Sequence, residues 1–350
     1  MKKNRSAFLL FLLVGIMLVV AACGGEQEAP TENAEGSESS QETYNWSIGY
    51  NTVEGSVKDV AAKRFKEIVE EKTDGRVTIE LFPNEALGSE QEMLESTQVG
   101  ALEMQIAGAN LMANTIPEYA LLSLPFLVND FEEAYAVLDG PIGEKWNALA
   151  EDHSLKVIGT TDLGGFAQIT NNIRPINTPE DMKGITMRSP NDVTLIETFR
   201  ALGSSVSTMP FTEVYLGLSQ GVVDGQFNPL DAIYQTKFHE VQDYLAMTNI
   251  SFYYSYFVMN DKVWNDLDEE LQAVILEAAN EAQEVSREFT AEKDAEMLEI
   301  LENEFVEITY PDTEPFREMV LPVYETVGQT IGEEAVEELQ AFLEEYRQNN

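Results

Sequence analysis

The chain has 350 residues, 44% of them apolar, and a formal net charge of −41 at pH 7, which is material for two lobes or domains with buried cores. So acidic a surface repels polyanions and lacks the clustered cations that nucleic acid or anionic headgroups need, so neither is a partner on charge grounds. With one cysteine and two histidines, His153 and His239, the chain has no means to form an intramolecular disulfide, a thiolate cluster or a three-histidine zinc site.

Lys2, Lys3 and Arg5 precede an apolar run over 7–22 that stops at Cys23. A membrane span needs roughly 20 apolar residues. The short run, its basic flank and the Val20-Ala21-Ala22-Cys23 ending together predict a lipoprotein-type signal peptide over 1–22 and lipidation at Cys23. The stretch 23–43 is then the lipidated cysteine and a solvated tether of Glu, Ser, Gln, Gly and Thr. The folded part is expected from about Tyr44, outside the cytoplasm. Residues 46–50 read as a strand, and 57–71 repeat Val60, Ala61, Phe65, Ile68 and Val69 at helical spacing. Residues 77–82 alternate as a strand, 89–99 are helical, and 102–107 form a third strand. Repeated strand and helix predict α/β lobes on largely parallel sheet, with function at the carboxyl ends of strands.

In the middle of the chain, Thr178-Pro179-Glu180-Asp181 carries the cap, the proline and the acids of a helix start. A strand over 185–188 follows, placing Arg188 at its carboxyl end. Ser189-Pro190 is expected to cap a helix reaching about Ala201, a strand spans 206–209, and Thr212 caps a helix that ends near Gly221. Asp224-Gly225-Gln226-Phe227-Asn228-Pro229 reads as a loop. The acidic segment 265–305 predicts one or two long helices, and an amphipathic helix over 333–346 closes the chain.

No HExxH, GxSxG, GxxxxGK[ST] or GxGxxG pattern occurs, so no metal, nucleotide or other cofactor is implied. Paired carboxylates among 62 acidic residues leave a surface glycosidase open as a minor alternative. Arg188 before a helix start, Phe211 and Thr212 at the next such junction and Asn228 beyond it together suggest a carboxylate receptor. An arginine fork holds two oxygens, a helix start adds N–H donors, and an amide takes a further oxygen. On position alone, Arg188 fits a surface cation equally well, Phe211 a core aromatic and Asn228 a turn residue.

Four segments in order carry a resemblance. They are Leu124-Pro125-Phe126-Leu127, the stretch from Arg174-Pro175-Ile176 through Thr178 to Arg188, Met209-Pro210-Phe211-Thr212-Glu213-Val214-Tyr215, and Gly221-Val222-Val223-Asp224-Gly225-Gln226. The chain resembles the DctP-type solute-binding subunits of tripartite ATP-independent periplasmic (TRAP) transporters over nearly all of its mature length. The resemblance implies a two-lobed, periplasmic-binding-protein-like α/β fold with crossing hinge strands near 160–170 and 248–258 and a long helix spanning both lobes. Lobe I would take 44–165 and 254–290, and lobe II 166–253 and 291–350. Arg188 would pair with a ligand carboxylate, Phe211 would form an aromatic wall, and Asn228 would complete the grip. Asn51, Ser89 and Asn110 would add contacts from the first lobe, while Tyr254 reads equally as packing.

Two departures are visible. Many members carry a second arginine where this chain has Ala167 or Gln168, so Gln168 is expected as a further ligand contact in its place, and Phe227 replaces the usual acid, which implies a less polar pocket. Both point toward one carboxylate with hydroxyl or apolar parts. The implied function is non-enzymatic: capture of a small organic acid at the outer face of the cytoplasmic membrane. The implied partners are the small and large integral-membrane permease subunits of an ion-gradient-driven importer. A sensory lipoprotein for the same ligand class is the alternative from residues alone.

Overall fold

The computed structural model describes residues 42–350; the expected signal peptide, Cys23 and nearly all of the tether lie outside the described residues. In chain order, β1 (Tyr44–Tyr50), α1 (Val57–Lys72), β2 (Val77–Phe82), α2 (Glu90–Gln98), β3 (Met104–Gly108) and the short α3 (Ala109–Met112) come first. After them come α4 (Phe131–Asp139), α5 (Pro141–Leu149) and the long β4 (Leu155–Phe166). A second run comprises β5 (Gln168–Asn171), β6 (Thr186–Ser189), α6 (Val193–Ala201), β7 (Ser205–Thr208), α7 (Val214–Ser219), β8 (Gly225–Asn228), α8 (Leu230–Gln235) and β9 (Tyr244–Ala246). Then β10 (Phe252–Asn260), α9 (Asp261–Asn265), α10 (Glu269–Leu301), β11 (Glu307–Thr309), α11 (Glu314–Ile331) and α12 (Glu333–Asn349) complete the chain.

These strands form two sheets, ordered β2-β1-β3-β10-β4 and β11-β9-β5-β8-β6-β7. The expectation of largely parallel sheet is corrected. Each sheet has a parallel part built from strand-helix units, β2-β1-β3 in one and β8-β6-β7 in the other. Each is extended by antiparallel partners: β10 against β3 and β4, and β5 against β8 and β9. The antiparallel strands are those by which the chain leaves one lobe and returns, so they run against the strands they join.

The crossing lies at Ala167, which donates to the Ser251 carbonyl at 2.9 Å and accepts from Ile250 N–H at 3.2 Å. Just before it, Gly164 and Gly165 have φ of +94° and +80°, a region that side chains with a Cβ resist. A Cβ on Gly165 would also come within 2.6 Å of the Phe131 ring.

Trp46, Ile48 and Tyr50 alternate inward along β1 and pack with Ala61, Phe65 and Ile68 of α1, so strand and helix periodicities meet in one core. The 33-residue α10 is about 50 Å long and serves both lobes. Its first half buries Leu271, Ile275, Ala278 and Ala282 in that same core. Its far end buries Met297 and Leu301 with Val214, Leu218 and Phe238 of the second lobe. The fold is thus mixed α/β, two-lobed, with a spanning helix.

Local structure differs from the sequence reading in three places: Gly225–Asn228, expected in a loop, form β8, and two helix starts lie elsewhere. Ser189-Pro190 does not cap α6; Asp192 does, accepting from Leu195 N–H at 3.1 Å, because Ser189 is the last residue of β6. Thr212 sits inside a short 3₁₀ turn over Phe211–Glu213, and its hydroxyl is used elsewhere.

Candidate functional site

Between the lobes lies a cavity of about 380 Å³. Asn51 after β1, Ser89 before α2 and Asn110 in α3 line it from the first lobe, and Arg188, Phe211 and Asn228 line it from the second. Leu163 and Tyr253 of the crossing strands complete the wall. The structure thus gathers six of the seven side chains named from the sequence as ligand contacts.

Arg188, the next-to-last residue of β6, has 4% of its surface exposed. Its Nε and Nη2 donate to the Met209 carbonyl at 3.1 and 2.9 Å, and its Cζ lies 6.0 Å from the centre of the Phe211 ring. Among the described residues no carboxylate lies within ion-pair distance of it. Burial pushes its pKa down to about 10, with Tyr253 and Glu90 opposing, so it remains a cation at neutral pH. A buried charge without a counter-ion is costly, and the guanidinium edge not spent on Met209 is matched to a carboxylate.

Asn228 is buried at the end of β8, its amide held by Gln226, which itself donates to Thr170. Ser89 lines the cavity as the N-cap of α2, in a reciprocal capping box with Glu92. Gln168 is a correction: its oxygen accepts from the N–H groups of Thr248 and Asn249, and its amide donates to the Asn249 side chain and the Phe166 carbonyl. These bonds stitch the crossing and turn the side chain away from the cavity. Phe227 is a second correction. Strand alternation sends it into the core, fully buried against Phe199 and Tyr253, so its apolar character does not reach the cavity. Tyr254 packs, its hydroxyl donating to the Tyr119 carbonyl.

Sequence reasoning missed several residues. Tyr253 is buried, and its hydroxyl has no hydrogen-bond partner among the described residues. Lys58 is fully buried behind Asn51 and Glu90 and donates to both side chains. Burial pulls its pKa below the ordinary lysine range, with Glu90 and Glu85 opposing. A signal for Lys58 existed, since a lysine in the first turn of α1 stands at the unfavourable end of the helix dipole. Two hydrogen bonds also join the walls. Thr212 Oγ1 donates to Glu85 Oε2 at 2.8 Å, and Asn191 Nδ2 donates to Asn114 Oδ1 at 3.2 Å. Among the described residues no cluster of three metal-binding side chains occurs, and no helix is long and apolar enough to cross a membrane.

Residues 48–330 match the family model DctP, bacterial extracellular solute-binding protein, family 7. The chain belongs to the DctP family. This DctP-family protein is 32% identical over 261 residues to the 2,3-diketo-L-gulonate-binding periplasmic protein YiaO of Escherichia coli K12, covering 75% of this chain and 79% of that one. It superposes with a TM-score of 0.84 at 30% identity on the sugar acid binding protein DctPAm of Advenella mimigardefordensis, in complex with galactonate, covering 87% of this chain and 99% of that one. A TRAP periplasmic solute-binding protein of Sulfurospirillum deleyianum with bound succinate gives 0.81 at 28% identity, covering 85% and 99%. As a member of this family the protein is a transport-associated solute-binding protein, not an enzyme, and the family's solved members hold diverse small organic acids.

Proposed function

We propose that this DctP-family protein captures a small organic acid with a single carboxylate, anchored on Arg188 between Phe211 and Asn228. It passes the acid to the small and large integral-membrane subunits of an ion-gradient-driven TRAP permease. In this reading Cys23 carries the lipid that holds the protein at the outer face of the cytoplasmic membrane. The observation that carries the reading is a buried, unpaired guanidinium lining an interlobe cavity of about 380 Å³, a size suited to a small metabolite. Support for one carboxylate comes from the wall itself: neither Ala167 nor Gln168 supplies a second cation, and Lys58 is already paired with Glu90. The relatives named above bind sugar acids or a dicarboxylate, all of them carboxylates.

The test is thermal unfolding of the domain from residue 44 onward against sugar acids, keto acids, dicarboxylates, amino acids and neutral sugars, since a ligand stabilises the state that binds it. A monocarboxylate is expected to give the largest shift. Arg188→Ala is expected to weaken that ligand by about 2 to 5 kcal/mol, as when one partner of a desolvated pair is removed. Shifts with neutral sugars alone, or an Arg188→Ala protein that binds as well as the parent, would overturn the carboxylate anchor.

A further inference from the structure

The wall facing Arg188 is set by a residue that does not itself line the main cavity. Lys58 has no exposed surface. Its three ammonium protons meet three acceptors: Asn51 Oδ1 at 2.8 Å, Glu90 Oε1 at 3.2 Å and the Ile106 carbonyl at 3.1 Å. An ammonium only donates, so the oxygen of the Asn51 amide must face Lys58 and its NH₂ must face the cavity that Asn51 lines. Glu90 Oε1 also accepts from Gly108 N–H at 2.9 Å, which leaves Oε2 of this cavity-lining carboxylate without a bond among the described residues. Glu85, on the same wall, accepts from Glu90 N–H and Thr212 with its two oxygens. Asn51 and Glu90 therefore offer a donor group and a bare carboxylate oxygen side by side, and the ammonium behind them has nothing left to give.

We infer that Lys58 is a positioning residue that makes this wall selective for hydroxyl groups, so that the ligand is a polyhydroxy monocarboxylate. This rests on the proposed anchoring of the carboxylate at Arg188. A hydroxyl satisfies both neighbours, donating to Glu90 Oε2 while accepting from the Asn51 amide. A second carboxylate would accept from Asn51 but face Glu90 and Glu85 with no free proton to receive it. An alkyl group would leave both polar groups unpaired.

Titration calorimetry of the soluble domain with threonate, butyrate and succinate, and with gluconate, hexanoate and adipate, reads the selectivity at matched chain length. In the parent, the hydroxy acid of at least one series is expected to bind ten-fold or more tighter than its alkanoate and its dicarboxylate. Lys58→Met is expected to reduce the ratio of hydroxy acid to alkanoate affinity at least ten-fold. Should that variant not fold, Glu90→Gln serves in its place: it removes the bare carboxylate oxygen and is expected to raise dicarboxylate affinity relative to hydroxy acid ten-fold. Unchanged ratios in the folded variants, or a parent that binds no hydroxy acid, overturn the inference. Arg188→Ala separates the two claims: the carboxylate anchor fails if that variant binds as well as the parent, and the selector alone fails if Arg188→Ala weakens binding while the ratios in the Lys58 and Glu90 variants stay fixed.

Discussion

Two buried charges in the second lobe illustrate how differently a fold treats ionisable residues. Arg188 stays charged without a carboxylate in ion-pair distance among the described residues, whereas Asp192, four residues on, is buried with one oxygen capping α6 and the other without a partner. Burial raises the Asp192 pKa to about 7, only partly offset by the N–H groups of Leu195 and Thr194. The folded state thus binds that proton more tightly than the unfolded chain, so Asp192 favours folding at low pH and its contribution is lost as pH rises through about 7. Asn keeps the cap and has nothing to titrate. Asp192→Asn is therefore expected to be the more stable protein at pH 8, with the gap narrowing by on the order of 2 kcal/mol toward pH 5. Urea unfolding at both values checks this, and a gap independent of pH would show that Asp192 does not titrate in that window. The role of Asp192 was not legible in sequence: a helix start at Ser189-Pro190 places it inside the helix, whereas it is the cap.

At the scale of elements, the contacts between the lobes depend on short segments that the sequence reading placed only approximately. The 3₁₀ turn at Phe211–Glu213 puts Phe211 on the cavity and Thr212 against Glu85 of the first lobe. Thr212 does not line the cavity, so its effect on binding must pass through the closed arrangement of the lobes. Thr212→Val removes one exposed bond of roughly 1 kcal/mol and is expected to weaken ligand about three- to ten-fold, mainly through faster dissociation. Stopped-flow release measures it, and an unchanged dissociation rate would show that this contact does not hold the lobes together. The C-terminal region shows the limit of local reading. Helix α11 contains Pro322, which removes an N–H from its ladder and hides the helix from a proline-based reading. Phe316, Val320, Val323 and Val327 nevertheless bury one face of it, and that packing outweighs the lost bond.

For the whole molecule, a net charge of −41 sets the field through which an anion must approach. Arg188 is local and buried, while the acidic surface is extensive, so the long-range force on a carboxylate ligand is repulsive and screened by salt. The association rate constant is expected to rise severalfold between about 20 and about 500 mM sodium chloride, where the screening length shrinks from roughly 20 Å to a few ångström. A rate that falls with salt would show that the cleft's own positive potential steers the ligand.

Some properties followed from residues near one another in the chain: the acidic composition, the α/β alternation, and Arg188 at the carboxyl end of a strand. Periodicity and caps are local, so they survive without knowledge of the fold. Only the tertiary structure decided that Gln168 stitches the crossing strands, that Phe227 faces the core, and that Lys58 lies beneath Asn51 and Glu90. Those outcomes depend on which face of a strand meets which lobe and on hydrogen bonds between segments up to 81 residues apart, and no local pattern encodes them.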